Sequence, residues 1–169
     1  GKLSTLADWQ RSTEPLPWSG MLPFRTGYVA IESTEDQAKA EATALVQLAT
    51  SIHKSALASG WPASIGIITP FRVQNNAILA MLPDELRGSV SVDTVERFQG
   101  SERDVILYGA CVGSPMELDS IVSETEVEGV VIDRKLNVAM TRARHQFVLV
   151  GAPSVLKYST AYALAIQQL

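Results

Sequence analysis

Short apolar runs the length of a strand alternate with longer stretches of helical period along most of this chain, and that alternation constrains the fold more than any other feature. Residues 28–32 form a β-branched run. Thr34 then offers a hydroxyl N-cap with Gln37 at capping-box spacing. Ala38, Ala42, Leu45, Ala49, Ile52 and Ala56 follow at alternating steps of four and three, and Gly60-Trp61-Pro62 ends that helix. Residues 65–69 read as a buried strand. Pro70 suits a helix start, with Val73, Ala77, Ile78 and Met81 carrying the helix to Pro83. Two more strands are expected at 89–93 and 105–111, with a short turn or helix at 96–99 between them. Asp133 is placed to cap a helix over 134–144, residues 147–150 form another strand, and Gly151-Ala152-Pro153 leads into a last helix reaching Leu169. Apolar strands separated by such helices imply an α/β fold, with a mostly parallel sheet and helices on both faces. Chemistry in such sheets gathers beyond the carboxyl ends of strands, here expected at Thr69-Pro70, at 95–102 and around 134–144.

At 169 residues, 46% hydrophobic and 19% charged, the chain has the size and composition of one globular domain. The longest apolar runs are strand-sized, well short of the ~18 residues of a membrane span, so a soluble protein is expected, and the single cysteine favours a reducing, cytoplasmic (intracellular) setting. One cysteine, Cys111, excludes an internal disulfide framework and reads as a small buried hydrophobe. Residues 1–27, with Pro15, Pro17 and Pro23 among Trp9, Trp18 and Phe24, support neither period and read as an irregular segment left by truncation. The domain proper is then 28–169. Of 18 acidic residues, Glu117, Asp119, Glu124, Glu126, Glu128 and Asp133 fall within 116–133, which contains no Lys or Arg; elsewhere 14 basic residues face 12 acidic ones. That acidic stretch reads as an insertion: a flap, a partner site or a disordered loop.

Several chemistries find no support. There is no G-x-G-x-x-G and no G-x-x-x-x-G-K-[ST], which argues against autonomous nucleotide binding. His53 and His145 lack ligand companions at metal spacing, so no metal site is expected. Two S-x-x-K matches, at Ser51 and Ser154, lack the partner motifs of a serine–lysine hydrolase.

Three segments remain whose polar residues fit neither a core nor an ordinary surface. In Ile67-Ile68-Thr69-Pro70-Phe71 with Gln74, a strand ends in a hydroxyl and a helix begins; this suits a phosphate, or Thr69 simply caps. Residues 94–104, from Thr94-Val95 through Phe98-Gln99-Gly100 to Glu102 and Asp104, crowd donors, acceptors and a flexible glycine between two strands. Such a loop can hydrogen-bond a sugar or a phosphate, or can be merely solvated. In 134–144 a buried stripe of Leu136, Met140 and Ala143 is expected on the helix, with Arg142 and Arg144 emerging at its end. Those arginines complement the helix dipole or meet an anion.

Together the three segments resemble motifs IV, V and VI of superfamily 1 helicases, in particular the 5′-to-3′ group with the up-frameshift and Dna-type enzymes, over about residues 28–156. The resemblance implies the second, C-terminal RecA-like domain of a P-loop NTPase-type motor acting on single-stranded DNA or RNA. An N-terminal RecA-like domain of the same protein would hold most of the ATP and Mg2+. It further implies that Arg142 is the catalytic arginine finger, and that Gln99, Gly100, Glu102 and Arg144 join it at the ATP, with Glu102 on the ribose. Thr69, Pro70, Phe71, Gln74 and Thr94 would meet the nucleic acid. By itself such a domain would not hydrolyse ATP. The aromatic–arginine segment that opens this domain in the family is not found in 1–27, which leaves the adenine contacts unplaced. Two alternatives are a non-catalytic docking module with the same fold, and a small unrelated α/β enzyme, for which no catalytic dyad is seen.

Overall fold

A computed structural model describes Leu16 and residues 24–33, 35–98 and 100–169. The sequence readings for most of 1–23, for Thr34 and for Gln99 lie outside the described residues. Five strands form one parallel sheet: β1 (Thr26–Ala30), β2 (Ile65–Ile68), β3 (Val90–Asp93), β4 (Arg103–Gly109) and β7 (Ala143–Gly151), in the order β1-β7-β4-β2-β3. A separate antiparallel pair, β5 (Glu124–Val127) and β6 (Val130–Asp133), stands beside it.

The central strands are apolar throughout because both faces are covered. From β4, Val105 and Leu107 face one way and Ile106 and Tyr108 the other; from β7, Val148 and Val150 oppose Phe147 and Leu149. The first set packs under α1 (Gln37–Ala58) and α2 (Arg72–Met81), where Ala42, Leu45, Ala49, Ile52 and Ala56 supply the expected stripe. Ala38, at the head of that stripe, is only half-buried. The second set is covered by α3 (Pro115–Ile121), α4 (Arg134–Met140), α5 (Pro153–Leu156) and α6 (Thr160–Gln168). Among the described residues no helix is long and apolar enough to cross a membrane.

Several boundaries differ from the sequence reading. β1 begins two residues early, because the Phe147 N–H donates to the Arg25 carbonyl; Glu32 leaves the strand, and its carboxylate accepts from Ser154 N and Oγ at the start of α5. Asp36 caps α1 by accepting from Lys39 N–H, so Gln37 is the first helical residue rather than the third. α4 stops at Met140, and Ala143, expected on the helix, pairs with Arg103 as the first residue of β7. The last helix is two, with Ser159 capping the second through Tyr162 N–H. The acidic stretch is not a loop: it folds into α3 and the β5–β6 hairpin. Glu128 (φ 51°) and Gly129 (φ 79°) supply the two positive-φ residues of the tight turn joining its strands.

Candidate functional site

The three polar segments do not all lie at one edge of the sheet. Thr69 and Thr94 follow the carboxyl ends of the neighbouring strands β2 and β3, whereas Glu102, Arg142 and Arg144 lie at the amino ends of β4 and β7. A parallel connection must return to the starting edge before the next strand begins, so a residue just before a strand sits at its amino end. Residues 94–102 make that return, which overturns the expectation that 95–102 and 134–144 both cluster beyond the carboxyl ends. A seven-residue strand separates the two edges by about 20 Å.

At the amino edge, Arg142 follows the C-terminus of α4. Its Nε donates to the Val138 carbonyl at 3.3 Å and one terminal nitrogen to Thr141 Oγ1 at 3.2 Å. Among the described residues no carboxylate lies within ion-pair distance of its guanidinium. Arg144 is placed differently: Nε is 3.2 Å from Glu102 Oε2, and a terminal nitrogen is 4.0 Å from Asp104 Oδ1. Asp104 is itself anchored, since its Oδ2 accepts from Ser64 N at 2.8 Å and Ser64 Oγ at 2.6 Å. His145 Nε2 stands 3.8 Å from Asp104 Oδ1. Gly100 is exposed with φ 83°, a conformation that disfavours any side chain, and Cβ-sized space around it is open. The preceding turn is closed by Arg97 and Phe98 N–H groups donating to the Thr94 carbonyl. Phe98 buries its ring beneath this turn, with the Arg103 guanidinium 5.6 Å from the ring centre.

At the carboxyl edge, Thr69 is wholly buried and its Oγ1 lies 2.7 Å from Asn75 Oδ1, so the hydroxyl expected to face a phosphate is engaged within the fold. Gln74 is buried too, donating through Nε2 to the Ala38 carbonyl on the first turn of α1. Pro70 and Phe71 are half-buried at this rim; Phe71 occupies the N-cap position of α2 without a side-chain cap bond. Thr94 is nearly buried, and its hydroxyl makes no hydrogen bond among the described residues.

Beneath this edge lies a polar group that sequence reasoning missed. Glu41 is fully buried, accepting from Gln37 Nε2 at 2.7 Å and from the Cys111 backbone N–H at 2.6 Å. Burial pushes its carboxyl from 4.5 up to about 7, against the lowering effect of the bonds from Gln37 and Cys111. Burial and the neighbouring Glu41 carboxyl push the Cys111 thiol well above its ordinary value, consistent with an inert side chain. The signal was available: Glu41 lies three residues after Ala38 and four before Leu45, on the buried stripe of α1.

A family model described as an AAA domain matches residues 7–154. The chain is 38% identical over 95 residues to the DNA polymerase alpha-associated DNA helicase A of Saccharomyces cerevisiae, covering 56% of this chain and 13% of that protein. It is 30% identical over 168 residues to an Arabidopsis thaliana regulator of nonsense transcripts 1 homolog, covering 90% of this chain and 12% of the relative. With the mouse DNA replication ATP-dependent helicase/nuclease DNA2 it shares 33% over 117 residues, covering 69% and 10%. The chain thus spans about a tenth of the length of these curated relatives.

Proposed function

The chain belongs to this AAA-domain family, the C-terminal RecA-like part of up-frameshift/Dna-type superfamily 1 helicases, and on that premise we propose that it is one half of an ATP-driven motor on single-stranded nucleic acid. The nucleotide reading rests on the amino edge. Arg142 is the proposed arginine finger, and the observation that carries it is a guanidinium with no carboxylate among the described residues to cancel its charge, two residues from one that has two. A permanently charged, forked donor suits a γ-phosphate, where such an arginine supplies on the order of 10³ to 10⁵ in rate. Gln99 and Gly100 supply the approach to the nucleotide, and Glu102 meets its ribose.

The sequence holds no Walker A loop, so the phosphates and Mg2+ would be held mainly by an N-terminal RecA-like domain facing this edge. The metal would neutralise phosphate charge there. Nucleic acid would track the other edge, where Pro70 and Phe71 form the rim beside the Thr94 hydroxyl, which makes no hydrogen bond among the described residues, and Thr69 and Gln74 fix its shape from beneath. In this reading the 169-residue chain does not hydrolyse ATP alone. Phosphate release provides the test: none from this chain, and nucleic-acid-stimulated release from the full-length protein. Robust turnover by this chain alone overturns the reading.

A further inference from the structure

We infer that Arg144 is a positioning residue that orients Glu102 toward the vicinal hydroxyls of the nucleotide sugar, and is not itself a phosphate ligand; this rests on the nucleotide reading above. Arg144 shares its guanidinium between Glu102 and Asp104, so the field it presents to an anion is cancelled, whereas that of Arg142 is not. The two carboxylates also differ in freedom. Asp104 is 16% exposed and pinned through one oxygen by both the backbone and the hydroxyl of Ser64, while Glu102 is 53% exposed and its only side-chain partner among the described residues is Arg144. A fixed acid therefore holds the arginine, and the arginine in turn holds the exposed acid.

Arg144 engages Oε2 and leaves Oε1 of Glu102 without a hydrogen bond among the described residues. An ionised carboxylate accepts only, and a vicinal diol is a matching pair of donors. Exposed ion pairs add little to stability, so stability alone is a weak account of this arrangement; orientation of a ligand-binding acid is the use such a weak pair can serve.

The experiment uses the full-length protein and compares hydrolysis of ATP with that of 2′,3′-dideoxyATP, which lacks both hydroxyls. A charged hydrogen bond of about 1.5 to 3 kcal/mol corresponds to a KM preference for ATP of roughly tenfold or more. In Arg144→Gln the preference is expected to collapse toward one through a rise in KM for ATP, with kcat changed less than about threefold. Arg144→Lys is expected to keep the preference in part, having charge but not the forked Nε geometry. Equal KM increases for both nucleotides, or a kcat loss in the range of an arginine finger, would make Arg144 a phosphate ligand and overturn the inference. Glu102→Gln separates the two levels. If it abolishes the preference and Arg144→Gln does not, only the assignment of Arg144 fails; if it leaves the preference intact, the sugar-binding reading of Glu102 fails with it.

Discussion

Glu41 Oε2 accepts a 2.6 Å hydrogen bond from the backbone N–H of Cys111, a residue 70 positions later that holds a positive φ of 55° just past the end of β4. A buried acid thus ties the first turns of α1 to the carboxyl edge of the sheet, and its titration is a property of the fold. The unfolded chain gives up this proton near 4.5, whereas the folded chain holds it to about 7. Between those values the folded state binds more protons, so stability falls as pH rises, by up to ~3 kcal/mol, and levels above pH 7. Urea midpoints of the chain from pH 5 to 8 should show that slope, and Glu41→Gln should flatten it. An unchanged slope in the variant would assign the titration to another group.

Gly66, in the middle of β2, has no room for a side chain. A Cβ there would stand 2.7 Å from Ile106 Cδ1 and 2.9 Å from Phe98 Cε1. Since Phe98 buries the turn that carries Gly100, Gly66→Ala should destabilise by about 1 to 3 kcal/mol through overpacking and loosen the proposed nucleotide side of the domain. Denaturant unfolding measures the first effect. A change below ~0.5 kcal/mol would mean that the ring and the Ile106 tip relax without cost.

Asp133 closes two gaps with one carboxylate: it accepts from Leu136 N–H at 2.8 Å, capping α4, and from Ser123 N–H across the hairpin. Asp133→Ala leaves both donors unpaired at a nearly buried site and should cost about 1 to 3 kcal/mol, with Asp133→Asn recovering part through its remaining oxygen. Thermal unfolding of the two variants checks the order. Equal losses would mean that the charge, and not the acceptor geometry, carries the effect.

What could be read from the sequence depended on how local its cause is. The α1 stripe from Ala42 to Ala56 and the cap at Asp133 were legible, because a 3.6-residue period and a carboxylate three residues before an N–H are local facts. Ala143 fits the helical period but belongs to a strand. Its membership of β7 is decided by Arg103 on the neighbouring strand, and an alanine carries no sign of that pairing. The Glu128-Gly129 turn went unread because glutamate is an uncommon residue at positive φ. Within the site, Arg142 and Arg144 looked alike. The partners that set them apart, Glu102 and Asp104, lie some 40 residues before Arg144, and no helical or strand period encodes so distant a pairing.

That distinction makes Arg142 the most informative residue to change. Among the described residues its guanidinium makes two hydrogen bonds, of 3.2 and 3.3 Å, both to the end of its own helix. Arg142→Ala should therefore cost the fold under ~1 kcal/mol, since no buried charge is orphaned. The loss should fall on catalysis. In the full-length protein kcat for ATP is expected to drop by on the order of 10³ or more, with KM and single-strand affinity changed only a few-fold, because a γ-phosphate gains most of its charge contact in the transition state. Single-turnover phosphate release and a strand-binding titration on the same preparation read both quantities. Retained turnover with normal strand binding would reduce Arg142 to a helix-terminal cation worth ~0.3 to 1 kcal/mol. Loss of both together, with the fold intact, would move the residue from the nucleotide edge to the coupling between the two edges.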